Sequence, residues 1–215
     1  MKSNRKEDSR LEGIVNRFLE DHLFPEFDNV KYVTDKETQL KGVDVIITSE
    51  KLGLDEAKTD IKSAVKYSTR YLGTFSLELS FLGWRGEERT GWFVNDDLET
   101  EYYLFIYPRS EKYYTDMVSK EDIDYIDYYL VKKEDIMGFL LSRGYDKERL
   151  VNVVKEMRER YAEAGGDKLT LDSGSENFHF TLSGRLAEKP VNIVMKRQVY
   201  EKYAVMKGRI GYDKN

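Results

Sequence analysis

The sequence predicts an α/β or α+β fold in which a central mixed β-sheet is flanked by helices. Two observations favour this class. Runs of alternating apolar and polar residues in the middle of the chain are typical of strands, and apolar residues at helical spacing both precede and follow them. With 40% apolar and 13% aromatic residues, the 215-residue chain also has enough apolar surface to bury a core.

The first helix is predicted over SRLEGIVNRFLEDHLF, with Ser9 as its N-cap and Pro25 shortly after its end. Its apolar residues recur at helical spacing: Leu11, Ile14, Val15, Phe18 and Leu19. This pattern indicates one buried face.

Two short strands are predicted next, over GVDVIIT (42–48) and LGLDEAKT (52–59), joined as a hairpin by the polar turn at 49–51. GTFSLELSF (73–81) predicts a further strand. Within it Glu78 has the opposite parity to the large apolar residues, so its side chain is expected on the other face of the sheet.

The rest of the chain predicts a glycine-rich turn at GWRGEERTGWF, strands over EYYLFIYP and YIDYYLV, and then helices that end near Gly144 and after residue 164. The last part, from NFHFTLSG onward, indicates strands and a terminal helix. Because no repeat or linker interrupts the chain, we expect a single domain over 1–215, with a core at about 9–145 and a C-terminal extension at about 146–215.

Composition excludes several classes of site. The chain has no cysteine, which excludes disulfides, thiolate zinc sites and cysteine nucleophiles. His22 and His179 are too far apart in sequence to indicate a zinc motif, and no phosphate loop, dinucleotide fingerprint or serine elbow is present. Without a signal-like or membrane-spanning apolar run, we expect a cytoplasmic protein that does not interact with membranes.

Charged residues on the predicted hairpin suggest a site. Residues two apart on a strand share a face, so Glu56 and Lys58 project side by side, and Asp44 on the preceding strand can lie opposite them. Neighbouring carboxylates repel each other, and a hard cation such as Mg²⁺ relieves that repulsion. A lysine beside the cation can position an attacking water and offset the charge that grows on a phosphorane. The pattern therefore favours phosphodiester hydrolysis.

Gly42-Val43-Asp44 followed by Glu56-Ala57-Lys58, after an amphipathic helix, resembles the signature of the PD-(D/E)xK nuclease superfamily, which has the restriction-endonuclease-like fold. The resemblance covers roughly residues 9–108. It implies a nuclease that acts on DNA with Mg²⁺ or Mn²⁺, in some cases as a homodimer.

In this resemblance Asp44 and Glu56 are metal-binding acids, with the Ala57 carbonyl nearby, and Lys58 is the catalytic lysine. The family often adds another acid, for which Glu78 is the preferred candidate and Glu12 on the first helix the alternative. The predicted catalytic set is thus Asp44, Glu56, Lys58 and Glu78, and the predicted metal ligands are Asp44, Glu56 and Glu78.

A second signature, Asp60-Ile61-Lys62, overlaps the first and has the same strand parity. It would shift the acid and lysine by four residues. We prefer Glu56 and Lys58, because the turn between the strands is then short and Lys62 begins the next segment.

The net charge of −5 is unlike the basic surface usual in proteins that bind nucleic acid. The rival hypothesis is a non-catalytic α/β module for protein interaction or nucleic-acid binding, in which the acids and the lysine are structural and form cross-strand salt bridges.

Overall fold

The computed structural model describes residues 5–211, and it confirms the expected α+β class with a mixed sheet. The helices are α1 (Arg5–His22), α2 (Lys36–Leu40), α3 (Lys133–Leu141), α4 (Lys147–Ala164) and α5 (Arg197–Tyr203). The strands are β1 (Asn29–Tyr32), β2 (Val45–Ser49), β3 (Leu54–Ser63), β4 (Thr74–Leu82), β5 (Glu88–Thr90), β6 (Tyr102–Arg109), β7 (Tyr125–Lys132), β8 (Lys168–Ser175), β9 (Phe178–Ser183), β10 (Val191–Lys196) and β11 (Ala204–Gly211).

Contacts divide the described residues into two compact units, each made of separate pieces of the chain. The first unit holds the residues up to Leu72, then Glu99–Lys133 and the residues from Ala204 onward. The second holds Gly73–Leu98 and Glu134–Tyr203. The expectation of a single domain with an extension at about 146–215 remains a prediction.

The first unit contains a six-stranded sheet with the order β1-β2-β3-β6-β7-β11. Only the β3–β6 pair is parallel, and the other neighbours in this sheet are antiparallel. β6 is buried along nearly its whole length, as expected for a central strand with both faces covered.

The apolar face of α1 packs on this sheet. All five predicted apolar positions of the helix are buried, and they belong to one core with Val45, Ile47, Leu104 and Ile106 of the strands. The helix begins at Arg5, however, so that Ser9 lies inside it and is not its N-cap. The helical pattern predicted the buried face correctly, whereas the N-cap assignment was wrong.

The predicted hairpin is confirmed as β2 and β3, and a short 3₁₀ helix (Glu50–Leu52) forms its turn. Gly53 ends this turn with a φ of 65°, a left-handed conformation that glycine adopts without strain. β3 continues to Ser63, four residues beyond the predicted end. Asp60, Ile61 and Lys62 are therefore strand residues rather than the start of the next segment.

The second unit contains a five-stranded antiparallel sheet with the order β5-β4-β10-β9-β8. Helix α4 contacts β4, β8 and β9 and buries one apolar face, which includes Leu150, Val153 and Met157. Asp146 is the N-cap of α4, and its carboxylate accepts a hydrogen bond from the Arg149 N–H at 2.7 Å.

The packing of α1 leads to a prediction for stability. Phe18 is 0% exposed in the core of the first unit, so Phe18→Ala should lower the free energy of unfolding by about 3–5 kcal/mol through lost burial and the cavity that it leaves. Arg17 is exposed on the same helix, and Arg17→Ala should change the free energy of unfolding by less than about 0.5 kcal/mol. Urea denaturation of both variants measures this, and equal losses would contradict the described packing of α1.

Candidate functional site

Asp44 and Asp60 are opposite each other at the point where β2 begins. In the antiparallel register Val45 is opposite Thr59 and Ile46 is opposite Lys58, so that the preceding residue, Asp44, comes opposite Asp60. The Asp44 N–H donates a hydrogen bond to the Thr59 carbonyl at 3.0 Å. β3 thus continues past the end of its ladder with β2, while its other edge stays paired with β6.

The side chain of Asp44 extends this contact beyond the ladder. Its Oδ2 accepts a hydrogen bond from the Ile61 N–H at 2.8 Å. Because Asp44 comes opposite Asp60 in the antiparallel register, the two carboxyl groups are neighbours, and the charge of Asp44 raises the pKa of Asp60. Asp60 is 4% exposed, whereas Asp44 is partly exposed.

Lys62 is next to this carboxyl pair. Its Nζ is 2.7 Å from Oδ2 of Asp60, because residues two apart on a strand project from the same face. The structure therefore brings together an acid on β3, a lysine two residues later and the acid opposite them. This is the arrangement expected for the second signature, Asp60-Ile61-Lys62.

The pKa of Asp60 is raised to about 7 from an ordinary value of 3.8, chiefly by burial. The positive charge of Lys62 opposes this increase, and the negative charge of Asp44 adds to it. Tyr103 of β6, opposite Asp60 in the parallel pair, is fully buried, and its own pKa is raised by burial and by the charge of Asp60. Asp60 thus lies in a place where a lone negative charge is costly.

Glu12 of α1 is a third acid near the pair. Partial burial of its carboxyl group raises its pKa, the charge of Asp44 raises it further, and Lys62 lowers it. Glu12 therefore interacts electrostatically with Asp44 and Lys62. It was the less favoured of the two candidates for an additional acid.

A groove of about 440 Å³ borders the site within the first unit. Asp44 and Glu12 line it together with Gln39, Ile61, Lys66 and Tyr67. Its size falls within the range of pockets that hold small ligands, which is roughly 300–1,000 Å³. Asp44 therefore borders a space large enough for a small ligand.

The preferred residues Glu56 and Lys58 are placed differently. Glu56 is exposed and lies in an irregularity of β3, where the register with β2 shifts between Ile47 and Ser49. Its φ of 47° is left-handed, a strained conformation for a residue with a side chain. The extra residue in β3 interrupts the alternation on which the prediction for Glu56 depended.

Lys58 binds a different acid. Its Nζ is 2.5 Å from Oε2 of Glu99, and Lys41 binds the other oxygen of the same carboxylate at 2.7 Å. The hydrogen bonds from Lys41 and Lys58 lower the pKa of Glu99 to about 2. Lys58 is thus part of a partly exposed ion-pair cluster, of the kind that the rival hypothesis expected.

Glu78 belongs to the second unit. It is on β4, opposite Asn192 of β10, and is partly buried. Its strand and its parity relative to the buried Leu77 and Leu79 are as predicted. Its role as a metal ligand remains a prediction.

Two carboxylates are a suitable donor set for Mg²⁺, which is usually bound through one or two carboxylates and keeps several waters. Among residues 5–211, no group of three or more histidine or acidic side chains converges closely enough to form a ready-made metal site. The placement of Asp44 opposite Asp60 nevertheless fits the cation chemically, because a divalent charge offsets both the burial of Asp60 and the negative charge of Asp44, which raise the pKa of Asp60. Glu12, whose pKa is raised in part by the charge of Asp44, is the candidate for an additional acid.

No family model, no curated protein and no solved structure matches the chain. Within residues 5–211, no helix is long and apolar enough to span a membrane.

The pKa of Asp60 leads to a prediction for stability. Below about pH 4 this group is protonated in both the folded and the unfolded chain, whereas above about pH 7 the folded chain must bury its charge. The contribution of Asp60 to stability therefore falls as the pH rises from about 4 to 7, by on the order of 4 kcal/mol. Asp60→Asn, which removes this charge, should be more stable than the parent at pH 8 by a few kcal/mol, and this advantage should vanish at pH 4.

Urea denaturation in EDTA at pH 4, 6 and 8 measures this difference. Glu56→Gln, at an exposed acid of the same strand, is the control and should show no such pH-dependent gain. An Asp60→Asn variant whose stability relative to the parent does not change with pH would contradict the buried charge.

Proposed function

We propose that the chain is a metal-dependent nuclease that hydrolyses phosphodiester bonds of DNA through Asp44, Asp60 and Lys62. The observation that carries this proposal is the placement of Asp44 opposite the buried Asp60, with the Lys62 ammonium 2.7 Å from the Asp60 carboxylate. It supports the second signature over Glu56 and Lys58.

The energetics of the pair favour a functional role. Two neighbouring acids destabilise a fold, because burial and mutual repulsion both oppose their ionisation. An apolar pair at the same positions would pack without this cost. Strongly perturbed acids beside a groove are typical of functional sites, because catalysis needs groups whose pKa values differ from the ordinary ones.

Each residue has a role in hydrolysis. Asp44 and Asp60 would hold Mg²⁺ or Mn²⁺, and Glu12 lies close enough to interact with Asp44. When bound, the cation supplies Lewis acidity that polarises the phosphoryl group and lowers the pKa of a water molecule. The Lys62 ammonium donates hydrogen bonds that position the attacking water and offsets the negative charge that develops on phosphorus.

The reaction forms a bond between the water oxygen and phosphorus and breaks one phosphorus–oxygen ester bond. The leaving oxygen takes up a proton, and the products are a phosphate monoester and a free hydroxyl. The homodimer and the cytoplasmic location expected from the sequence remain predictions alongside this proposal.

Two lysines on the same strand provide a matched test. With Mg²⁺ or Mn²⁺ and plasmid, linear duplex or single-stranded DNA, Lys62→Met should slow cleavage about 100-fold or more, because it removes a positioned donor at the reacting centre. Lys58→Met breaks only an exposed ion pair and should change the rate by less than about fivefold. Initial rates from gel-resolved products, with an RNA substrate in parallel, measure both effects.

The outcomes separate the hypotheses. A large loss of cleavage rate in Lys58→Met with a small loss in Lys62→Met would support the signature Glu56-Ala57-Lys58 and contradict the roles proposed for Asp60 and Lys62. If the parent cleaves none of the nucleic acids with either cation, the non-catalytic interaction module becomes the better interpretation.

A further inference from the structure

Directly after β3 the chain forms a turn with exposed aromatic and basic side chains, which we call the aromatic turn (residues 66–71). Tyr67 lines the same groove as Asp44 and is 48% exposed. The guanidinium of Arg70 lies over its ring, 5.0 Å from the centroid, and Tyr71 is 72% exposed. Tyr67 therefore presents a partly exposed ring in the groove that Asp44 also lines.

The backbone around this turn is anchored on both sides. The Ala64 N–H donates a hydrogen bond to the Ile106 carbonyl of β6 at 3.0 Å, and the Tyr67 N–H donates to the Ala64 carbonyl at 2.9 Å. The Ser68 carbonyl accepts a hydrogen bond from the Ser110 N–H at 3.1 Å. Tyr67 is thus presented by an ordered backbone, which lowers the entropy lost when a ligand stacks on its ring.

Charge in the groove selects which part of a nucleotide approaches Tyr67. Asp8, Glu12 and Asp44 line the groove, and its Lys66 is paired with Asp8 at 2.6 Å. An anionic phosphate is repelled by these acids unless a cation neutralises them. A neutral base is not repelled, and its flat face matches an aromatic ring.

We infer that Tyr67 stacks on an unpaired base and that the site therefore acts on single-stranded DNA or on single-stranded ends. This inference rests on the proposed nuclease function and specifies its substrate class. In a duplex both faces of an internal base are covered by its neighbours, so an exposed tyrosine finds a free face on an unpaired base and, in a duplex, only at the terminal pairs. The phosphate of the stacked nucleotide would then lie toward a cation held by Asp44, which lines the same groove as Tyr67.

Fluorescence anisotropy tests the inference. The probes are a fluorescein-labelled oligothymidylate of about 15 nucleotides and a blunt duplex of the same length, with Ca²⁺ as an oxygen-binding cation in place of Mg²⁺. The parent should bind the single strand at least about tenfold more tightly than the duplex, and Tyr67→Ala should weaken single-strand binding about 5- to 100-fold. Tyr67→Phe keeps the ring and should stay within about twofold of the parent.

Tyr113→Ala is the matched control, because Tyr113 is also an exposed tyrosine of the first unit but is not part of the groove lining. It should leave single-strand binding unchanged, and thermal denaturation checks that each variant is folded. Equal affinity of the parent and Tyr67→Ala for the single strand, or tighter binding of the duplex by the parent, overturns the inference.

The binding assay is independent of cleavage, so the two proposals fail separately. Tyr67-dependent binding by a protein that cleaves no nucleic acid supports the stacking role and removes the hydrolytic one. If cleavage requires Lys62 but single-strand binding does not depend on Tyr67, the nuclease proposal is supported and the role of Tyr67 in single-strand preference is contradicted.

Discussion

The antiparallel register between β2 and β3 is the constraint on which the candidate site depends. It brings Asp44 opposite Asp60 just where the ladder between the two strands ends. The Ile61 N–H therefore donates its hydrogen bond to the Asp44 carboxylate and not to a backbone carbonyl of β2. Pairing with β6 holds the other edge of β3 in place. The buried core beneath α1 stabilises this register, because a shift by one residue would move Val45 and Ile47 out of the core.

The electrostatics of the site follow from this placement. Asp60 is buried against Tyr103 and next to Asp44, and both features favour its neutral form, while Lys62 favours the ionised form. A divalent cation bound by Asp44 and Asp60 would favour the ionised form of both carboxyl groups. The same cation would make the acidic groove attractive to a phosphate, which links the proposed chemistry to the base-stacking role of Tyr67.

Much of the fold could be predicted from sequence, whereas the exact site could not. Periodicity identified the buried face of α1 and most strands, because burial on one face imposes a regular spacing of apolar residues that can be read from the sequence. It could not distinguish Glu56 from Asp60, since positions four apart on a strand have the same parity. The irregularity of β3 near Glu56 decides between them, and its only signal in the sequence is the pair of adjacent acids, Asp55 and Glu56, which interrupts the alternation of the strand. The two discontinuous units arise from long-range pairing, which local patterns do not encode.

Manganese binding is the most direct test of whether Asp44 and Asp60 form a cation site. Mn²⁺ has an electron paramagnetic resonance signal when free in solution, so a titration of the protein at pH 8 counts the bound ions without any substrate. We expect the parent and Glu56→Gln to bind Mn²⁺ with similar affinity, and Asp44→Asn and Asp60→Asn to lose this binding. Retained binding in Asp60→Asn, together with its loss in Glu56→Gln, would contradict the account.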